Sequence, residues 1–165
     1  MNYKRNEYIS LTGLSVPNLK NYEKRDFMPG PVDGEEVEEG SVRRFTPFMV
    51  LKTALMRQCI EQHHLDVRRA YRLINHRFTG LELFALKSKI NSSVEGKPIL
   101  LGFESETLGS SEGVSIYGGY SDHVAEVFKS HMSEDRIFSF FWLDVSKEFR
   151  EIKRLAAENG IEFEL

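Results

Sequence analysis

Residues 12–29 read Thr-Gly-Leu-Ser-Val-Pro-Asn-Leu-Lys-Asn-Tyr-Glu-Lys-Arg-Asp-Phe-Met-Pro, and the rest of the chain is best read outward from them. Gly13 permits a tight turn, Ser15 can cap orphan amides, and Pro17 falls in a first helical turn, where its missing N–H costs little. A short helix over residues 16–25 follows and stops before Pro29. Val16, Leu19 and Phe27 are expected to turn inward, while Asn18, Lys20, Asn21, Tyr22 and Lys24 face water. A tight turn that launches a helix with amides and cations exposed at one end has the layout of a helix-turn-helix recognition element.

On the N-terminal side, Asn6 is the expected cap of a first helix running through Leu11. On the other side, residues 29–40 are rich in Pro, Gly and acids without an apolar period, which predicts a loop. Residues 42–45 read as its return strand. Thr46-Pro47 is a cap followed by a proline, and Phe48, Leu51, Lys52, Leu55, Met56, Cys59 and Ile60 recur at amphipathic spacing. Asp66 should cap a fourth helix with Val67, Ala70, Tyr71 and Ile74 on one face and Arg68, Arg69 and Arg72, with Arg77 beyond, on another. That basic ridge has two readings, contact with flanking phosphate or pairing with the acidic second half.

Two colinear blocks resemble the DNA-binding head of the MerR-type transcriptional regulators. The first is Thr12, Gly13, Ser15, Leu19, Tyr22, Glu23 and Pro29 in register, with Leu14, Lys20, Phe27 and Met28 as close substitutes. The second, Arg43-Arg44-Phe45-Thr46, is similar to the family's wing strand leading into its third helix, and Leu65-Asp66-Val67 to the start of its fourth. The likeness covers residues 3–75. It implies a winged helix-turn-helix head in which Ser15, Asn18, Lys20, Asn21, Tyr22, Lys24, Arg43 and Arg44 bind DNA. By that correspondence Lys20 replaces an arginine that touches DNA and Tyr22 matches a tyrosine near the backbone. Asn18 replaces a threonine that reaches phosphate, and Asn21 a second tyrosine. Pro17 stands where the family often has arginine, so one contact is lost. The family's wing is neutral to basic, whereas this one carries Asp33, Glu35, Glu36, Glu38 and Glu39. Three readings of that cluster stay open: it points away from DNA, it covers the basic face when no operator is bound, or it merely faces solvent.

The net charge of −3 looks wrong for a DNA binder until it is divided. Residues 1–80 carry thirteen Lys/Arg and ten Asp/Glu, and residues 81–165 nine and fifteen, so the halves stand at +3 and −6. Basic surface is thus local, as phosphate contact requires. With 165 residues, 41% hydrophobic and 28% charged, the chain is expected to form one domain or two small ones with a real core. No run approaches the ~20 apolar residues that span a bilayer, and the first residues lack the apolar stretch of a signal peptide. A cytoplasmic protein without membrane contact is the expectation.

Cys59, the one cysteine, excludes an internal disulfide and a thiolate metal site within one subunit, and its apolar neighbours predict a buried structural thiol. His63, His64, His76, His123 and His131 lack a carboxylate at ligand spacing, so neither a metal nor another cofactor is expected. Ser121, Asp122 and His123 resemble pieces of a nucleophilic site, but no nucleophile elbow, phosphate loop or paired acids accompany them. An enzyme is not expected, and no catalytic residue is assigned.

Beyond His76 the pattern changes. Residues 81–90 are ambiguous between strand and helix, and residues 91–96 read as a loop. Residues 98–103 and 113–117 read as strands, Ser121 or Asp122 as a helix start, and residues 137–143 as a strand too apolar to be anything but buried or part of an interface. Ser146 should cap a helix over residues 147–158 ending at Asn159-Gly160, with a last strand over residues 161–165. The expected fold is α+β: a winged helix-turn-helix head over residues 1–77 and a small α+β module for dimerisation, sensing or partner binding over residues 78–165.

The resemblance implies a transcriptional regulator that binds pseudo-palindromic promoter DNA as a homodimer and distorts it, with RNA polymerase as a further partner. The family's long dimer helix has no room between Gly80 and the break at residues 91–96, so any dimer must use other surface, such as the strand ending at Leu143. Two alternatives keep or drop the head's chemistry. One is a phage- or plasmid-type DNA-architecture protein, like an excisionase or small terminase subunit. The other is an adaptor that no longer binds DNA.

Overall fold

The computed structural model describes residues 2–31, 44–77, 87, 98–105, 115–132 and 139–165. Arg43, the acidic cluster from Asp33 to Glu39, the first part of the return strand, the loop at 91–96 and, apart from Lys87, the ambiguous stretch at 81–90 lie outside the described residues. The chain is a mixed α+β protein that divides into two compact units, residues 1–80 with 148–165 and residues 81–147. The C-terminal segment from Glu148 groups with the N-terminal residues in space.

In the larger unit, α1 (Arg5–Thr12) starts two residues earlier than Asn6 as cap would allow. Lys4 is the cap residue, and its backbone N–H donates to the Glu7 carboxylate at 2.6 Å. The helix ends on Gly13, whose φ of 65° closes the turn with its N–H on the Ile9 carbonyl. Two residues later α2 (Val16–Lys24) begins, capped as expected by Ser15 and with Pro17 in its first turn. Asp26, at φ 58°, reverses the chain beyond α2, and the Phe27 N–H returns to the Tyr22 carbonyl at 2.8 Å.

Next, α3 (Pro47–His63) is capped by Thr46, whose Oγ1 accepts from Met49 N at 3.3 Å. The expected one-sided stripe understates its burial. Every residue from Phe48 to Met56 is buried, as are Gln58 and Cys59, because α3 is the central helix of the unit and has neighbours all round. Its polar residues are therefore partnered: Lys52 Nζ donates to the Gly30 carbonyl at 3.1 Å and Thr53 meets the Tyr8 hydroxyl. Asp66 caps α4 (Val67–Arg77) through the Arg69 N–H at 3.0 Å, and Ala70, Leu73 and Ile74 face the core. Of the expected return strand, Phe45 forms an isolated antiparallel bridge with Tyr3.

The smaller unit holds β1 (Ile99–Ser105), β2 (Ser115–Tyr120), α5 (Ser121–Met132) and β3 (Ser139–Asp144). The sheet order is β2-β1-β3, antiparallel throughout, with Leu101 opposite Gly118 on one side and Leu143 on the other. Among its described side chains, Ile99, Leu101, Val124, Leu143 and Val145 are buried. The β3 stretch reads as buried or as part of an interface, and alternation puts Leu143 inside while leaving Trp142 52% exposed.

The last helix, α6 (Val145–Glu158), follows β3 directly. Asp144 caps it, accepting from Lys147 N at 2.8 Å, and Ser146 instead takes the Ile99 N–H at 2.7 Å. Gly160, at φ 63°, ends it, and Ile161 N–H reaches the Ala156 carbonyl at 2.9 Å. Residues 161–165 form no strand. Their apolar alternation instead seats Phe163 against the rings of Tyr3 and Phe149, with centroids 5.9 and 6.0 Å away.

Candidate nucleic-acid interface

The sequence-derived site residues fall on α2 and on the chain just before α3. Along α2, Leu19 is fully buried and Tyr22 is 7% exposed, and these two seat the helix on the core. Ser15, Asn18, Lys20, Asn21 and Lys24 are all exposed. Ser15 Oγ takes the Asn18 N–H at 3.3 Å, so the cap orders the first turn from which Asn18 projects. Lys20 and Lys24 are one turn apart, and neither makes an ion pair among the described residues. Lys24 also lies in the last turn, where a cation meets the negative end of the helix dipole.

Two expected orientations are reversed. Tyr22, expected to face water, belongs to the packing face, and burial raises the pKa of its phenol, with the Glu61 carboxylate adding to the effect. Val16, expected to turn inward, is 46% exposed at the start of α2. It thus stands among the polar residues of the outer face. Phe27 is half-buried and packs at 5.5 Å from the Tyr71 ring. Arg44 is half-buried next to the Phe45 bridge; Arg43 lies outside the described residues.

Around α2 the anchoring is dense. Arg5 on α1 and Glu23 on α2 pair at 2.7 Å, bracing the two helices from the solvent side. The segment leaving α2 is pinned by Lys52 on the Gly30 carbonyl and by Asn75 Oδ1 accepting the Gly30 N–H at 2.9 Å. Asn75 Nδ2 in turn donates to the Tyr71 hydroxyl at 3.2 Å. Of the basic ridge on α4, Arg69 pairs with Asp66 at 3.3 Å, while Arg68 and Arg72 are exposed with no ion pair among the described residues.

Sequence reasoning missed Arg57, Gln58 and Glu148. Arg57 Nη1 donates to the Thr12 carbonyl at 3.0 Å, and Arg57 and Gln58 both reach the Glu148 carboxylate. Local pattern gives no sign of this, because the partners are 45 to 91 residues apart.

Cys59 is buried, and among the described residues no three His, Cys, Asp or Glu side chains gather closely enough to hold a metal ion. Among those residues no helix is long and apolar enough to cross a membrane. No protein-family model matches the chain, and none of the curated proteins compared with it matches.

Proposed function

We propose that this chain is a cytoplasmic, non-enzymatic DNA-binding regulator of transcription whose larger unit reads duplex DNA through α2, as the resemblance to MerR-type heads implies. One observation carries the reading. The buried face of α2 is closed by Leu19 and Tyr22, and the opposite face presents Asn18, Lys20, Asn21 and Lys24 to solvent beside a capped N-terminus. Amide side chains can donate and accept at base edges, and lysines can reach either a guanine edge or phosphate. Arg44 supplies a further cation at the base of the wing. On this reading the protein is a homodimer that distorts its promoter site, a deformation costing a few kcal/mol and offset by contacts from two heads.

Selection of bound duplexes from a randomised library, with the particle mass measured in solution, tests this. Enrichment of a two-fold symmetric sequence by a dimer is expected, with K20A changing the sequences selected. No enriched duplex would sink the reading. Binding at DNA ends by a higher-order ring would move the protein to the DNA-architecture class.

A further inference from the structure

Three side chains that no sequence pattern connects form a linked set that reaches the turn between α1 and α2 through Arg57. Arg57 Nη1 donates to the Thr12 carbonyl at 3.0 Å, and Nη2 reaches Glu148 Oε2 at 3.3 Å. The other Glu148 oxygen accepts from Gln58 Nε2 at 3.3 Å. Glu148 is 4% exposed and Gln58 2%, so donors from α3 take the place of water around this carboxylate. The guanidinium also fills the space over the turn: a Cβ on Gly13 would stand 2.6 Å from Nη1.

We infer that Glu148 is a positioning residue for the recognition face of α2, acting through Arg57 on the Thr12-Gly13 turn from which that helix is launched. The inference rests on the DNA reading of α2. A long arginine tied only to one carbonyl can swing. Tied at its other arm to a buried carboxylate, its planar fork has one geometry. Arg57 also approaches Glu61 at 3.9 Å, but that side chain is 64% exposed and gives a looser hold. Only Gly13 and Leu14 separate Thr12 from the Ser15 cap, so the place of the Thr12 carbonyl sets where α2 begins. Glu148 lies in the first turn of α6, so the C-terminal helix determines the setting of the N-terminal one.

Amide exchange of the full chain without DNA tests the clamp by itself. Gly13 N–H is bonded to the Ile9 carbonyl and Leu19 N–H to the Ser15 carbonyl, each at 3.0 Å. In E148Q both should exchange at least about threefold faster than in wild type, with Leu55 in the middle of α3 unchanged. Unchanged exchange at Gly13 and Leu19, or an acceleration shared equally by Leu55, overturns the inference. R57K keeps a cation near Glu148 but loses the fork, and should give the same local pattern. If E148Q does not fold, R57K decides by the same readout. If neither folds, the contact holds the whole fold rather than the turn, and the inference fails.

The DNA arm uses the randomised duplex pool. E148Q should bind it about two- to thirtyfold more weakly than wild type, the range of couplings carried through packed networks. Equal binding counts against positioning. If wild type itself enriches no duplex, the DNA reading fails, while the exchange result still judges the clamp.

Discussion

The rings of Tyr8 and Phe45 lie stacked with centroids 4.0 Å apart and planes inclined by 18°. Phe45 also exchanges both backbone hydrogen bonds with Tyr3, and the Tyr8 hydroxyl meets that of Thr53. All four residues are essentially buried, so α1, the bridge before α3, and α3 itself are joined at one point. Y8F keeps the stack and strands the Thr53 hydroxyl. It should cost about 1–2 kcal/mol, lowering the thermal midpoint by several degrees. Adding T53V should restore most of the loss, and a double variant no more stable than Y8F would refute the pairing.

Gly13 and Gly160 both adopt left-handed backbone, at φ 65° and 63°, in different surroundings. A Cβ on Gly13 meets the Arg57 guanidinium at 2.6 Å, whereas nothing lies within 4 Å of one on Gly160. G160A should therefore show the backbone cost alone, about 1 kcal/mol, and G13A more, about 2–3 kcal/mol. Urea unfolding of the two variants decides it. Equal midpoints would mean that Arg57 moves aside without cost.

Local chemistry made much of this fold legible. Ser15, Thr46, Asp66 and Gly160 end or begin helices as their residue types demand, because a cap is settled within three or four residues. Facing was harder to read. At about 100° per residue, Val16 and Tyr22 lie about 60° to either side of Leu19, so Leu19 can share a buried stripe with either. The core takes Tyr22, and Val16 is left outside. Ser146 and residues 161–165 show the other limit. A hydroxyl two residues past a better cap, and an apolar alternation seated on aromatic rings, are both reassigned by tertiary contacts. The clamp of Arg57 on Glu148 joins residues 91 apart and leaves no local trace.

Alkaline pH should weaken the larger unit in two stages. Burial pushes the Cys59 thiol from 9.0 up to about 12. Burial likewise pushes the Tyr3 phenol from 10.0 up to about 12, with Glu162, Glu164 and Glu7 adding to the rise and a backbone hydrogen bond at Glu164 opposing it. Both groups stay protonated in the folded chain at pH values where the unfolded chain has lost the proton. Their stabilisation is intact below the unfolded values and is lost as pH climbs toward the folded ones. The slope is at most about 1.4 kcal/mol per pH unit for each group. Between the two unfolded values Cys59 contributes most, so C59A should flatten stability against pH there and leave the loss above 10.0, to which the buried phenols of Tyr3 and Tyr22 contribute. Identical slopes for C59A and wild type would rule the thiol out.

Trp142, the chain's single tryptophan, is 52% exposed on β3. Its fluorescence should be red-shifted and quenched by acrylamide in the native protein nearly as well as in urea. Emission typical of a buried indole, or strong protection from the quencher, would contradict that exposure.

Lys20 and Lys24 give the DNA reading its sharpest quantitative consequence. Each is exposed on α2 and makes no ion pair among the described residues, so neither gives up a described partner to reach DNA. A lysine that neutralises one phosphate contributes about 0.9 to the slope of log affinity against log salt, whereas one that reads a base edge mainly alters sequence choice. K24A, at the end of the helix, should flatten the slope by about one phosphate and weaken all duplexes alike. K20A should shift the preferred sequence instead. R154A is the control, because Arg154 on α6 is already engaged by Glu151 and Glu158 and should leave both readouts unchanged. If K20A and K24A behave like R154A, the outer face of α2 does not touch DNA, and the adaptor reading takes its place.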